Sequence, residues 1–165
     1  ARLGSPEAML PRLERLIAEV APLHSKLVLL VGPPDCGKTA LLRALADRSH
    51  APILNLGAAL GRRLATIAPK QRQLQAGSLL REIADRYVHG DRLLVDNIEL
   101  LFDATLQLNP LGLLKRQAQA RPVVAVWPGE LRSGGTKPRL TYAEMGHPEY
   151  RDYAADGVAP FDIQH

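Results

Sequence analysis

The stretch Gly32-Pro-Pro-Asp-Cys-Gly-Lys-Thr39 constrains this chain more than any other. It satisfies G-x-x-x-x-G-K-[S/T] at every specified position, and its surroundings fit as well. The continuous apolar run Lys26–Val31 precedes it, as expected of a central strand covered on both faces. A helical pattern with Leu41, Leu42, Leu45 and Ala46 inward follows it. A strand, a glycine-bearing turn and a helix start form a cradle for phosphate. The turn presents backbone N–H groups, and the helix adds the positive end of its dipole. Lys38 is expected to neutralise the outer phosphates and the Thr39 hydroxyl to ligate Mg²⁺. Gly32, Pro33, Pro34, Asp35, Cys36, Gly37, Lys38, Thr39 and Ala40 are therefore the expected binding residues for ATP or GTP. Asp35 and Cys36 occupy free positions of the pattern. A thiol at a helix N-terminus can be acidified, so Cys36 reads either as a redox-sensitive group or as a small residue filling a variable slot.

The remaining chain alternates between strand and helix signals. Ser5-Pro6 opens a helix whose apolar face is Leu10, Leu13, Leu16, Ile17 and Val20, and Pro22 closes it. Short apolar runs at 52–57, 92–96 and 123–126 read as strands, and 139–144 as an edge strand after a turn-rich segment at 133–138. Helical patterns occupy 58–67 and 76–88, broken by Pro69 and a glutamine-rich connection, and Asn109-Pro110 opens a helix to about Ala120. This alternation predicts an α/β fold, with a mostly parallel sheet and helices on both faces. The motif order suggests strands in the order 5-1-4-3-2. The expected organisation is an N-terminal helix packed on the core (1–25), a P-loop nucleotide-binding domain (26–145) and a C-terminal tail (146–165), with no C-terminal helical lid.

Leu93-Leu-Val-Asp96 is an apolar strand ending in a carboxylate, the Walker B pattern, and Asp96 is the second expected Mg²⁺ ligand beside Thr39. Hydrolysis also needs a group that positions or deprotonates water. Asn97 follows Asp96 where many such ATPases carry Glu; an amide orients water but is no base. Glu99 either substitutes or is a solvated helix-start residue, so the catalytic candidates are Lys38, Asp96 and Glu99, with slow or partner-dependent turnover expected. The fourth strand ends in Trp127-Pro-Gly-Glu130 without an Asn, Ser or Thr to sense the terminal phosphate; Trp127 packs or covers the site, and Glu130 is a secondary candidate for water or metal. Arg116, Arg121, Arg132 and Arg139 lie where an arginine finger could sit.

The net charge of +4 and pI near 9.5 suit an anionic ligand or nucleic acid without requiring either. Arg62, Arg63, Lys70, Arg72, Arg81 and Arg86, relieved by Glu82 and Asp85, form a stretch that is either a DNA-contacting surface or a set of solvated helix faces. The single cysteine excludes an internal disulfide, and no apolar run approaches the roughly 20 residues that cross a bilayer, so a reduced, cytoplasmic setting is expected.

Together the segments GPPDCGKT (32–39), LLVDNIELLFD (93–103), LQLNPLGLLK (106–115), VVAVWPGE (123–130) and LTYAEMGHPEY (140–150) resemble the BrxF family, the small P-loop protein of type 3 BREX (bacteriophage exclusion) systems. The resemblance implies nucleotide binding within an antiviral system. The implied companions are a large ATPase, a DNA methyltransferase, a phosphatase-like protein and a helicase. It leaves open whether the chain is a nucleotide-dependent switch or weak ATPase, or a non-catalytic scaffold or DNA-binding module. The chain also resembles the core of AAA-type ATPases. Little sequence remains after residue 144 for their helical lid, so the open site is expected to be completed by a partner or a second copy, in a homo-oligomer.

Overall fold

A computed structural model describes residues 5–132, 138–142 and 151–163. Helix α1 (Pro6–Val20) is capped by Ser5, whose hydroxyl accepts from the Ala8 amide, and leads to β1 (Leu27–Val31). The phosphate-loop segment connects β1 to α2 (Lys38–Ser49). There follow β2 (Ile53–Asn55), α3 (Leu56–Ala65), α4 (Pro69–Tyr87) and β3 (Leu93–Asp96). Two short 3-10 turns, Glu99–Phe102 and Ala104–Leu106, then lead into α5 (Pro110–Gln117) and β4 (Val123–Val126). The described elements that remain are all strands: β5 (Leu131–Arg132), β6 (Arg139–Tyr142), β7 (Arg151–Ala154) and β8 (Val158–Asp162).

The main sheet is five-stranded and parallel, in the order β2-β3-β4-β1-β8. That is the expected 5-1-4-3-2 order, but its fifth strand is β8 rather than the segment near 139–144. Residues 158–162, read in the sequence as tail, pair along the whole of β1, with Pro160 opposite Leu29. A proline is tolerated there because β8 lies at the sheet edge, where one side of the backbone has no ladder to complete. Arg139–Tyr142 is a strand as expected, but it is the middle of a separate antiparallel sheet, β5-β6-β7. Residues 143–150, including most of the LTYAEMGHPEY segment, and the turn-rich 133–137 lie outside the described residues.

Alternate residues of each buried strand serve opposite faces. Val28, Leu30, Leu94, Val124 and Val126 pack under α1 and α2. Leu27, Leu29, Val31, Leu93, Val95, Val123 and Ala125 pack under α3, α4, α5 and the 3-10 turns. Every residue of β1 is fully buried, which is why its sequence is apolar without alternation. Pro69 does not break a helix but opens one, at the first position of α4, where a missing N–H costs nothing; the glutamine-rich connection is the first turns of that helix. Among the described residues no helix is long and apolar enough to cross a membrane.

Candidate functional site

The phosphate-loop segment departs from extended backbone at three residues with positive φ. Gly32 is at 148°, Asp35 at 60° and Gly37 at 103°. Nothing lies within 4 Å of a Cβ placed on Gly37, so its backbone angle, not space, requires glycine there. From Gly37 the chain enters α2 without a side-chain cap. The first amides of α2 thus lack a capping side chain at Gly37, and an anion can take that place.

Lys38 folds back across the mouth of this loop. Its Nζ donates to the carbonyls of Gly32 (2.8 Å), Trp127 (2.9 Å) and Gly129 (3.4 Å). Burial lowers its pKa from 10.5, against the opposing effects of Cys36, Glu130 and Glu99 nearby. Cys36 does not have an acidified thiol. Burial raises its pKa, outweighing the Lys38 charge and the backbone amides, so the redox-sensitive reading loses its physical basis.

A cavity of about 350 Å³ opens beside Lys38, at the C-terminal ends of the sheet strands. Thr39, Asp96, Glu99, Gly129, Glu130 and Thr141 line it together with Gly32 and Pro34. A second hollow at the loop is bounded by Asp35, Gly37, Lys38, Thr39 and Ala40. The topology therefore brings the expected Lys38, Thr39, Asp96 and Glu99 to one place, although β4 stands between the strand carrying Asp96 and the one feeding the loop. Asp96 also accepts from the Asn97 amide at 2.7 Å. Among the described residues no cluster of three or more His, Cys, Asp or Glu side chains is arranged to hold a metal unaided.

Asn97 does not face this cavity. It sits at φ 57°, its side-chain amide donates to Asn55 Oδ1 at 2.8 Å, and its carbonyl accepts from the Gly57 amide. It joins the end of β3 to the start of α3. Glu99 is thus the carboxylate that the post-β3 segment supplies to the cavity.

Trp127 is packing: fully buried, it meets Phe102 and Tyr153 edge-to-face at 5.3 and 5.7 Å. Sequence reasoning missed two functions of its neighbourhood: its own carbonyl holds Lys38, and Thr141 reaches the cavity from β6. The only sequence signal was the Pro128-Gly129 turn, because contacts between strands so far apart leave no local pattern.

Of the arginines, Arg121 binds Gln117 and Asp85 just before β4, at the end of that strand opposite the cavity beside Lys38. Arg132 and Arg139 are opposite one another across β5 and β6. In the basic stretch, Arg72 is committed to the carbonyls of Leu64 and Ile67, and Arg63 pairs with Glu82.

Residues 28–105 match the family model described as AAA: ATPase family associated with various cellular activities. The match runs from β1 through the phosphate loop to the 3-10 turns beyond Asp96. No curated protein and no solved structure gives a significant match. The loop, the strand order and the matched segment agree: the chain has a P-loop NTPase-like α/β fold.

Proposed function

We propose that this protein binds ATP or GTP with Mg²⁺ and works as a nucleotide-dependent switch, or as a weak, partner-stimulated ATPase, in a type 3 BREX antiphage system. The observation that carries the nucleotide reading is the Lys38 ammonium, held by three carbonyls at the edge of a cavity shared with Thr39 and Asp96. A desolvated cation on neutral carbonyls gains by exchanging them for an anion. The loop amides and Lys38 would hold the phosphates, with Thr39 and Asp96 placed for the metal. Bound Mg²⁺ would offset the charge on the outer phosphate oxygens. In this reading Glu99 orients or deprotonates water, which its place on the cavity wall supports, and its exposure, together with Asn97 being tied to Asn55, supports slow intrinsic turnover.

The assignment to BREX, with its large ATPase, DNA methyltransferase and phosphatase-like protein as partners, is supported by the resemblance of the DNIELLFD, VWPGE and LTYAE segments to BrxF. In the same reading, a second copy or a partner completes the open site, DNA acts as a stimulator, and the protein works in the cytoplasm. The test is calorimetric titration with ATP and Mg²⁺, and turnover with and without duplex DNA, on wild type and Lys38→Ala. Wild type is expected to bind and to turn over slowly, and the variant to lose affinity. Equal affinity in both would overturn the nucleotide reading and leave the scaffold alternative.

A further inference from the structure

Strand β4 runs into Trp127, Pro128 and Gly129, so it ends without a hydroxyl or amide side chain for a terminal phosphate to meet. A hydroxyl-bearing residue comes from the small antiparallel sheet instead. Thr141, on β6, is 6% exposed, the buried polar side chain of the described core, and it lines the cavity with Lys38, Thr39 and Asp96. It is fastened to the loop on which Lys38 rests. Its carbonyl accepts from Trp127 Nε1 at 2.8 Å, and its hydroxyl accepts from the Glu130 amide at 3.1 Å. The backbones are in direct contact, because a Cβ added to Gly129 would lie 1.7 Å from the Thr141 oxygen.

The hydroxyl proton is the movable part. It is donated to the Glu130 carbonyl over a long 3.3 Å, and that carbonyl already accepts from the Thr141 amide at 2.9 Å. Rotation of the hydroxyl toward a phosphate oxygen therefore leaves no buried group without a partner. Lys38 also donates to the Gly129 carbonyl, next to Glu130, so the ammonium and Thr141 meet the same turn at 128–130, at the cavity they both line.

We propose that Thr141 reads the terminal phosphate, so that the site distinguishes a nucleoside triphosphate from a diphosphate through β6 and passes the difference to the β5-β6-β7 sheet. This rests on the nucleotide-binding reading above. As Lys38 turns to phosphate it lets go of the Trp127 and Gly129 carbonyls, while Thr141 gains a contact on the same side. Trp127, the single tryptophan of the chain, stands between the two and reports the change.

The experiment measures Mg²⁺-dependent binding of a non-hydrolysable ATP analogue and of ADP, by calorimetry, to wild type, Thr141→Val and Thr141→Ser. Tryptophan emission is followed in wild type. Thr141→Val is expected to lose roughly tenfold or more in triphosphate affinity, the scale of one hydrogen bond to a charged acceptor, and to change little toward ADP. Thr141→Ser should restore the preference. In wild type the two nucleotides should give different emission. A Val variant whose two affinities fall together, or not at all, overturns the role of Thr141. Identical wild-type emission with both nucleotides overturns it too, without depending on how the variants fold. A wild type that binds neither nucleotide overturns the nucleotide reading itself, and this one with it.

Discussion

Replacing Gly129 by Ala would place a methyl group where the structure has no room for one. The new Cβ would lie 1.7 Å from the Thr141 oxygen and 2.7 Å from its carbonyl carbon. Both are backbone atoms, so no side-chain rotation relieves the clash, and β6 must retreat by more than about 1 Å to reach ordinary contact. Three hydrogen bonds then stretch or break: Trp127 Nε1 to the Thr141 carbonyl, the Glu130 amide to the Thr141 hydroxyl, and the Thr141 amide to the Glu130 carbonyl. At about 0.5–1.5 kcal/mol net for each, their loss is worth about 2–4 kcal/mol. Tyr142 follows on the same strand and stacks on Phe102 at 3.9 Å. Loosening that pair adds roughly 0.5–1.5 kcal/mol. For a chain of this size about 3–5 kcal/mol corresponds to a fall in Tm of roughly 10 °C. Thermal unfolding followed by far-ultraviolet circular dichroism and by tryptophan emission measures it. A variant melting within about 2 °C of wild type, with native emission, would show that the β4–β6 contact is not the close fit described.

Three further substitutions test other links. Lys38→Met removes a desolvated ammonium, so the nucleotide-free protein should be no less stable than wild type while the ATP-induced rise in Tm disappears; a large loss of basal stability refutes the desolvation reading. Because the Lys38 pKa is lowered from 10.5, the unfolded chain binds more protons than the folded one between the lowered value and 10.5. Stability of the free wild type should therefore gain from Lys38 as pH rises through that window, while ATP affinity falls, and Lys38→Met should abolish both trends in denaturant and binding titrations. Asp96→Asn should reduce the gain in ATP affinity on adding Mg²⁺ by about tenfold or more, measured with and without chelator; an unchanged gain removes Asp96 from the metal site. Gly57→Ala brings a Cβ to 2.8 Å from Asn97 Nδ2 and 3.1 Å from its carbonyl oxygen. It should cost about 1–3 kcal/mol in urea unfolding although Ala is the better helix former, and a stabilised variant refutes the Asn97 junction.

The parts legible in the sequence are those whose signal is local. The loop Gly32–Thr39, the buried run of β1 and the carboxylate ending β3 each carry their chemistry within a few residues, and the structure brings them to one cavity. Pro69 misled because a proline gives the same letter whether it ends a helix or starts one, and only the α4 packing of Ala76, Leu79, Leu80 and Ile83 distinguishes the two. Val158–Asp162 was hidden because an edge strand can hold Pro160 and has no full set of ladder bonds to protect. Thr141 was invisible for a different reason: its importance lies in reaching across to Glu130 and Trp127, and no periodicity encodes a meeting between distant segments. Asn97 read as a weakened catalytic position, whereas its left-handed backbone and its bond to Asn55 make it a joint between β3 and α3.

The place of β8 has a bearing on biogenesis. The strand that feeds the phosphate loop gains its second neighbour only from residues 158–162, more than a hundred positions further along. A ribosome must therefore release nearly all of this stretch before Leu27–Val31 is flanked on both sides. Until then a fully apolar ribbon offers one unzipped border to any passing chain. Shortening the protein before Val158 should thus show itself first as aggregation, and only secondarily as a defect at the nucleotide site.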